Sequence, residues 1–245
     1  MDLTDNLVVV TGAARRVGRE IALHLARHGC HIVVHYRRSS AEAEDLARTI
    51  RGLGRRCSIV AGDLTDNGLP ARIVAHALAE YGRLDAIVNN AAVFAPSAID
   101  TLTPDQFAHT LQINLIAPVM LAAAAWPHFR QAGAGKVVNI VDIYADRPRP
   151  DHIAYCAAKA GLANATRSLA RAMAPIVQVN AVAPGVALFP EDLDPAAQER
   201  ILAKVPLARP GSPADIATTV RFLLADADYM TGQIITVDGG RSITW

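Results

Sequence analysis

The sequence predicts an α/β protein in which a doubly wound parallel sheet of seven strands carries helices on both faces. Three observations predict it. Short β-branched runs alternate with helical patterns along the whole chain. Those runs are apolar throughout rather than alternately apolar and polar, the pattern of strands buried on both faces. The first run leads through a glycine turn straight into a helix. With 245 residues, 51% hydrophobic and 19% charged, the chain can bury one sizeable core. It is read as a single domain, 1–245.

The elements follow in order. LVVV (7–10) is the first strand, and its helix should stop at Gly29. HIVVHY (31–36) is the second. Ser39 with Glu42 reads as a capping box for the next helix, which should end at Gly54. CSIVAG (57–62) and AIVN (86–89) are the third and fourth strands. Thr103, Pro104 and Gln106 read as a second capping box with proline at the first helical position. The apolar stretch Leu115 to Trp126 contains Pro118 and is too short to cross a bilayer; it reads as a buried helix with Trp126 in the core. KVVNIV (136–141), VQVNAVA (177–183) and QIITV (233–237) complete the sheet, and Ser212-Pro213 opens another helix. The longest irregular stretch, 185–195, follows the sixth strand and is a candidate lid.

Charge and cysteine content exclude several functions. A net charge of +1 gives no basic surface for nucleic acid or membrane as the main partner. Cys30, Cys57 and Cys156 form no CxxC and no metal spacing, and so fit reduced thiols in a cytoplasmic protein. Cys156 is read as packing. The acidic start, MDLTDN, does not resemble a signal peptide. Glu20, His24 and His28 recur at every fourth position, but on the outer face of the first helix; no metal is expected there.

Two clusters carry chemistry. Gly12 and Gly18 bracket the turn after the first strand. Gly12 permits a tight turn, Gly18 permits close backbone approach, and the helix start offers free N–H groups to a phosphate. The second strand ends in Tyr36, Arg37, Arg38 and Ser39, with no acid to accept from a ribose 2′-hydroxyl. Guanidiniums and hydroxyls suit a 2′-phosphate instead, which favours NADPH; the alternative is solvated arginines and a merely capping Ser39. In the second cluster Tyr155 and Lys159, four apart, share one helical face. There the ammonium can lower the phenol's pKa and make it a working acid. Asp142 stands thirteen residues earlier. As a lone residue it reads as the cap of the loop after the fifth strand.

From TGAARRVG to TGQIITVDGGRSI, these motifs resemble the short-chain dehydrogenase/reductase family over essentially the whole chain. The resemblance implies a Rossmann-like fold and a catalytic tetrad of Asn114, Asp142, Tyr155 and Lys159. Most members carry Ser where Asp142 stands. An ionised carboxylate there would repel a developing oxyanion, so it suits a substrate protonated on a ring nitrogen. Asp at this position is characteristic of pteridine reductases, and Asp142 would have to be tuned, because a free carboxyl is ionised at neutral pH. Arg16, where the family's middle glycine would be, matches the same subgroup. The HIAYCAAKAGLANATRSLAR stretch also resembles dihydromonapterin reductases.

The resemblance implies residue roles. Arg16 would reach both cofactor phosphate and pterin, with Val17 beside it. Asp63 and Leu64 would contact the adenine. Asn90 and Ala91 would pass beside the cofactor, while Ala92 lacks the hydroxyl some relatives use. Asn114 would hold a water beside Lys159, which binds the nicotinamide ribose. Pro184 and Gly185 match the nicotinamide-side turn, although the usual Thr is replaced by Val186 to Phe189. Phe94 would stack the pterin, or is an ordinary loop hydrophobe. Leu188 and Phe189 line an apolar wall, or pack in the lid. The implied activity is NADPH-dependent reduction of a dihydropterin, oxidised pterin or dihydrofolate. The rivals are an ordinary ketone or alcohol oxidoreductase, against which Asp142 argues, and a non-catalytic NADPH sensor, against which the intact Tyr155–Lys159 pair argues. A homotetramer is implied, with Trp245 either near a neighbour's site or frayed.

Overall fold

The computed structural model describes residues 2–189 and 193–244. Its sheet has seven strands: β1 Leu7–Val10, β2 His31–Tyr36, β3 Cys57–Ala61, β4 Ala86–Asn89, β5 Gly135–Ile140, β6 Val177–Pro184 and β7 Ile234–Val237. Their order is β3-β2-β1-β4-β5-β6-β7, and every pairing is parallel. Each predicted strand is present within a residue of its expected bounds. The helices are α1 Arg16–Arg27, α2 Ser40–Gly52, α3 Leu69–Tyr81, α4 Pro104–Leu111, α5 Ala117–Ala132, α6 Ile153–Met173, α7 Pro195–Leu202 and α8 Pro213–Ala225.

Burial on both faces explains the continuous apolar runs. In β1, Val8 and Val10 enter the core under α1, α2 and α8. Leu7 and Val9 enter the opposite core under α3 and α5. All four are fully buried, each contributing roughly 1.5–3 kcal/mol of transfer free energy. Strand order reverses between β1 and β4, which opens a crevice at their carboxyl ends.

Local signals decide most helix ends. Thr103 and Gln106 form the expected reciprocal capping box, as do Ser212 and Asp215. Gly29 and Gly54 follow α1 and α2 with φ of +99° and +76°, conformations that favour glycine. The Ser39–Glu42 box does not form. Ser39 has the wrong backbone angles for it, makes no capping bond, and leaves Glu42 to lean toward Arg15 at 4.0 Å.

The Leu115–Trp126 stretch differs from expectation. A π-helical turn, Gln112–Ile116, fuses α4 to α5 in a 29-residue helical run, Pro104–Ala132, long and apolar enough by length and composition to cross a membrane. Only its inner face is buried, through Leu121, Ala122, Ala125 and Phe129, while Ile116 and Met120 are exposed. Trp126 is half-buried at the core margin rather than within it. Of the candidate lid, 190–192 lie outside the described residues, as does Trp245.

Candidate active site

The crevice is tied together at the glycine turn. Gly12 has φ +62°, and a Cβ there would lie 2.8 Å from the Ala91 Cα. A Cβ on Gly18 would strike the Gly12 carbonyl and the Asn90 amide. Asn90 donates from Nδ2 to the Thr11 and Gly12 carbonyls, at 2.9 and 3.1 Å. The Thr11 hydroxyl accepts the backbone N–H groups of Asn90 and Ala91, both at 3.0 Å. Buried His35 bridges the turn to the end of β3: Nδ1 accepts from Gly12 N at 3.3 Å, and Nε2 donates to the Gly62 carbonyl at 3.1 Å. Burial pushes its pKa down, which keeps the neutral tautomer those bonds require.

The start of α1 has no side-chain cap, so its free N–H groups face the crevice. Arg16 adopts φ +54° where a glycine would be comfortable, at a cost of about 1 kcal/mol. Its guanidinium crosses to the Phe189 carbonyl at 3.4 Å. A cavity of about 600 Å³ runs along this end, lined by Arg16, Val17, Tyr36, Arg37, Arg38, Ser39, Asp63, Leu64, Asn90 and Ala91 among others. Arg37 lies 3.3 Å from Asp63. The Asp63 carboxyl is held below its ordinary pKa, chiefly by the Thr65 backbone N–H and further by Arg37. An elongated groove with a bare helix start, two arginines and hydroxyls fits a dinucleotide bearing a 2′-phosphate.

Beyond β5 the second cluster converges. Asp142 caps the turn Ile143–Ala145, accepting the Tyr144 N–H on Oδ1 at 2.9 Å. Its Oδ2 accepts from the Tyr155 hydroxyl at 2.8 Å. One side chain therefore both caps the turn and contacts the Tyr155 hydroxyl. Lys159, one helical turn on, donates to the Ile140 carbonyl at 2.6 Å and sits 5.7 Å from the Tyr155 ring centre. Burial raises the Asp142 pKa against the opposing hydrogen bonds from Tyr144 and Tyr155 and the charges of Lys159 and Arg241. Burial also lowers Lys159 to about 8. The expectation that Lys159 lowers the Tyr155 pKa is corrected. Burial first, and then the adjoining Asp142 carboxyl in direct contact, push the phenol up.

Residues 12–242 match the family model described as enoyl-(acyl carrier protein) reductase. The chain belongs to the short-chain dehydrogenase/reductase family. It is 33% identical over 236 residues to a 3-oxoacyl-[acyl-carrier-protein] reductase FabG of Staphylococcus aureus, covering 95% of this chain and 96% of that one. It is 36% identical over 242 residues to a cis-4-hydroxycyclohexanecarboxylate dehydrogenase of Sinomonas cyclohexanicum, covering 96% of each. Among solved structures, it superposes with TM-score 0.93 and 34% identity on FolM alternative dihydrofolate reductase 1 from Brucella canis complexed with NADP, covering 100% of this chain and 96% of that one.

Within this short-chain dehydrogenase/reductase, the remaining predicted residues fall as follows. Asn114 lies in the π-helical turn, fully buried, and its carboxamide closes on the Val93 backbone at 2.9 and 3.0 Å. The Gly185 N–H binds the Val237 carbonyl at 3.0 Å, and a Cβ there would strike Asp238; Pro184 pairs with Val237. Leu188 is exposed on the segment after β6. Phe94 is 49% exposed, stacked on His152 at 4.1 Å and edge-on to Tyr155 at 4.7 Å. Cys156 is buried, with Sγ against the Arg149 backbone. Glu20 turns to Arg27 at 3.4 Å and His28 binds the His24 carbonyl; among the described residues no group of three or more His, Cys, Asp or Glu is placed to hold a metal ion.

Sequence reasoning missed Thr11, His35, Tyr144, Arg149, Asp151, His152 and Arg241. Thr11 opens the glycine motif and was within reach. The others had no signal, since they meet the site only through folding. Arg149 grips Asp151 through two bonds, 2.9 and 2.5 Å, and covers the Tyr144 ring at 5.6 Å. That pairing raises Arg149 and lowers Asp151 far from their ordinary values. His152 Nδ1 lies 3.0 Å from Asp151 Oδ1 but at an angle that makes no hydrogen bond.

Proposed function

We propose that this chain is an NADPH-dependent pteridine reductase, carrying a dihydropterin to its tetrahydro form and accepting oxidised pterin or dihydrofolate as related substrates. One observation carries the proposal: a partly buried carboxyl, Asp142, bonded at 2.8 Å to the Tyr155 hydroxyl, beside the half-exposed Phe94 ring. A ketone reductase needs a neutral donor where the alkoxide forms. A carboxyl whose pKa is pushed up by burial is better matched to a ring nitrogen, which takes up a full proton.

NADPH bound in the groove supplies the hydride. Gly12, Val17, Gly18 and Arg16 hold its pyrophosphate; Tyr36, Arg37, Arg38 and Ser39 hold its 2′-phosphate end; Asp63 and Leu64 border the adenine. Asn90, Ala91, Pro184 and Gly185 flank the nicotinamide side, and Lys159 binds the ribose there. Asn114 fixes Val93 and hence the approach of Phe94. Phe94 stacks on the flat substrate, with Arg16 and Leu188 at its edges. Asp142 and Tyr155 share a proton and deliver it to the nitrogen of the C=N bond while its carbon takes the hydride. Atoms balance: C=N becomes CH–NH. The NADP complex of the FolM neighbour supports the cofactor assignment. The same reading carries one domain over 1–245, a homotetramer and a cytoplasmic location.

A ketone or alcohol oxidoreductase is the second reading, favoured by the similarity to the FabG reductase. NADPH oxidation with dihydrobiopterin, dihydromonapterin, dihydrofolate and a 3-oxoacyl thioester separates the two. Turnover of a pterin that collapses in Asp142→Ser supports the proposal. Turnover of the thioester alone overturns it.

A further inference from the structure

The C-terminal turn is fastened to the turn that bears Asp142. The carboxylate of Asp238 shapes it, accepting the N–H groups of Gly240 at 2.9 Å and Ser242 at 2.6 Å. This sets the helical turn Arg241–Ile243 against the loop after β5. Two arginines then cross in opposite directions. Arg241 Nη2 donates to the Tyr144 hydroxyl at 3.1 Å, with its guanidinium 5.6 Å from that ring's centre. Arg147 Nε donates to the Ser242 carbonyl at 3.1 Å. Tyr144 is also the residue whose N–H holds Asp142 Oδ1. The chain of contacts is therefore Arg241, Tyr144, Asp142, Tyr155, and it begins at the far end of the sequence.

We propose that Arg241 is a positioning residue for the proton-delivering pair: it anchors the Asp142 turn through Tyr144 and keeps a permanent positive charge facing that carboxyl. The role rests on the pteridine-reductase reading, in which Asp142 delivers the proton. Several of the described groups face Asp142. From α6 come Tyr155, Lys159 and the Cys156 thiol; from its own turn, Tyr144; from the C-terminal turn, Arg241. Lys159 is tied to a backbone carbonyl, and Arg149 is neutralised by Asp151. Lys159 and Arg241 are the cations whose charge opposes the effect of burial on Asp142, and Arg241 is the one that also anchors the Asp142 turn through Tyr144. Without it the carboxyl would hold its proton to higher pH and release it less readily to substrate.

The test needs no substrate, so its failure is distinct from failure of the pterin assay. The Asp142 carboxyl carbon is followed by ¹³C NMR titration and assigned by its loss in Asp142→Asn. Arg241→Met is expected to move the midpoint to higher pH, Arg241→Lys to restore it, and Tyr144→Phe, which removes the anchor but keeps the ring, to move it part of the way. An unmoved midpoint in Arg241→Met overturns the proposal, as does a shift that lysine does not reverse. Should Arg241→Met fail to fold, an unmoved midpoint in Tyr144→Phe overturns it equally. In turnover, the readout is a pH profile displaced in the same direction in Arg241→Met, with NADPH Kd unchanged.

Discussion

Asp142 does two things with two oxygens: one closes a backbone turn and the other meets a phenol. Serine could keep the first bond but offers no dissociable proton near neutral pH. Asp142→Ser is therefore expected to fold normally and to lower kcat on a dihydropterin by roughly 10²–10⁴-fold, the usual worth of a positioned acid; stopped-flow NADPH oxidation checks it. The sign of the pH dependence follows from the direction of its shift. Burial raises the Asp142 pKa, so the protonated form persists above the ordinary carboxylate range and is lost as pH rises further. The kcat/KM profile should fall on its alkaline side, and that limb should vanish in Asp142→Ser. A flat profile in the wild type would count against proton delivery by this group.

At the scale of elements, the glycine turn and the capped helices make different claims. The Gly18 backbone at the start of α1 approaches the Gly12 carbonyl and Asn90 too closely for any Cβ. Gly18→Ala must push the turn away from the helix start, and NADPH affinity should fall at least tenfold, about 1.4 kcal/mol, measured by fluorescence titration. Thr103 caps α4 and does not line this crevice. Thr103→Ala should cost about 1 kcal/mol of stability and leave kcat unchanged, as urea unfolding and turnover would show. Ser39 stands between these cases. It has the sequence of a capping box but not the geometry: α2 begins at Ser40, as a box requires, yet Ser39 stands at φ −85° and ψ 63° instead of the extended region that Thr103 and Ser212 adopt, and its side chain makes no capping bond. A motif of four residues could not reveal that the backbone before it is set by the β2 strand end.

For the whole molecule, the fold tolerates a buried ammonium to keep its site. The Lys159 pKa falls from an ordinary 10.5 to about 8 on burial. The sign is that of a depressed pKa: the contribution to stability is present above pH 10.5 and lost as pH falls through 8. At neutral pH the folded state thus carries a cost of roughly 3 kcal/mol. Lys159→Met should raise the melting temperature of the cofactor-free protein at pH 7, with the gain shrinking as pH approaches 10, while turnover disappears. Thermal scans at both pH values decide this; a lowered Tm at pH 7 would refute it.

The sequence alone determined the seven strands and the burial of the central ones on both faces, because continuous β-branched runs suit the middle of a covered sheet; the edge strands β3 and β7, which read the same way, are only partly buried because each has a neighbour on one side alone. It also determined the glycine turn and the Tyr155–Lys159 face, since short spacings on one element fix geometry directly. Tertiary structure decided the rest. The π-helical turn that fuses α4 to α5 and aims Asn114 at Val93 left no mark on composition or periodicity. Nor did the His35 bridge between the glycine turn and Gly62, or the reach of Arg241 to Tyr144. Each joins segments distant in sequence, and such contacts exist only after the sheet has brought strand ends and the C-terminal turn to one side. For the same reason the Tyr155 pKa ends above its ordinary value although Lys159 stands one helical turn away. Two residues four apart do share a face, but the dominant charge on the phenol comes from Asp142, delivered by a neighbouring strand.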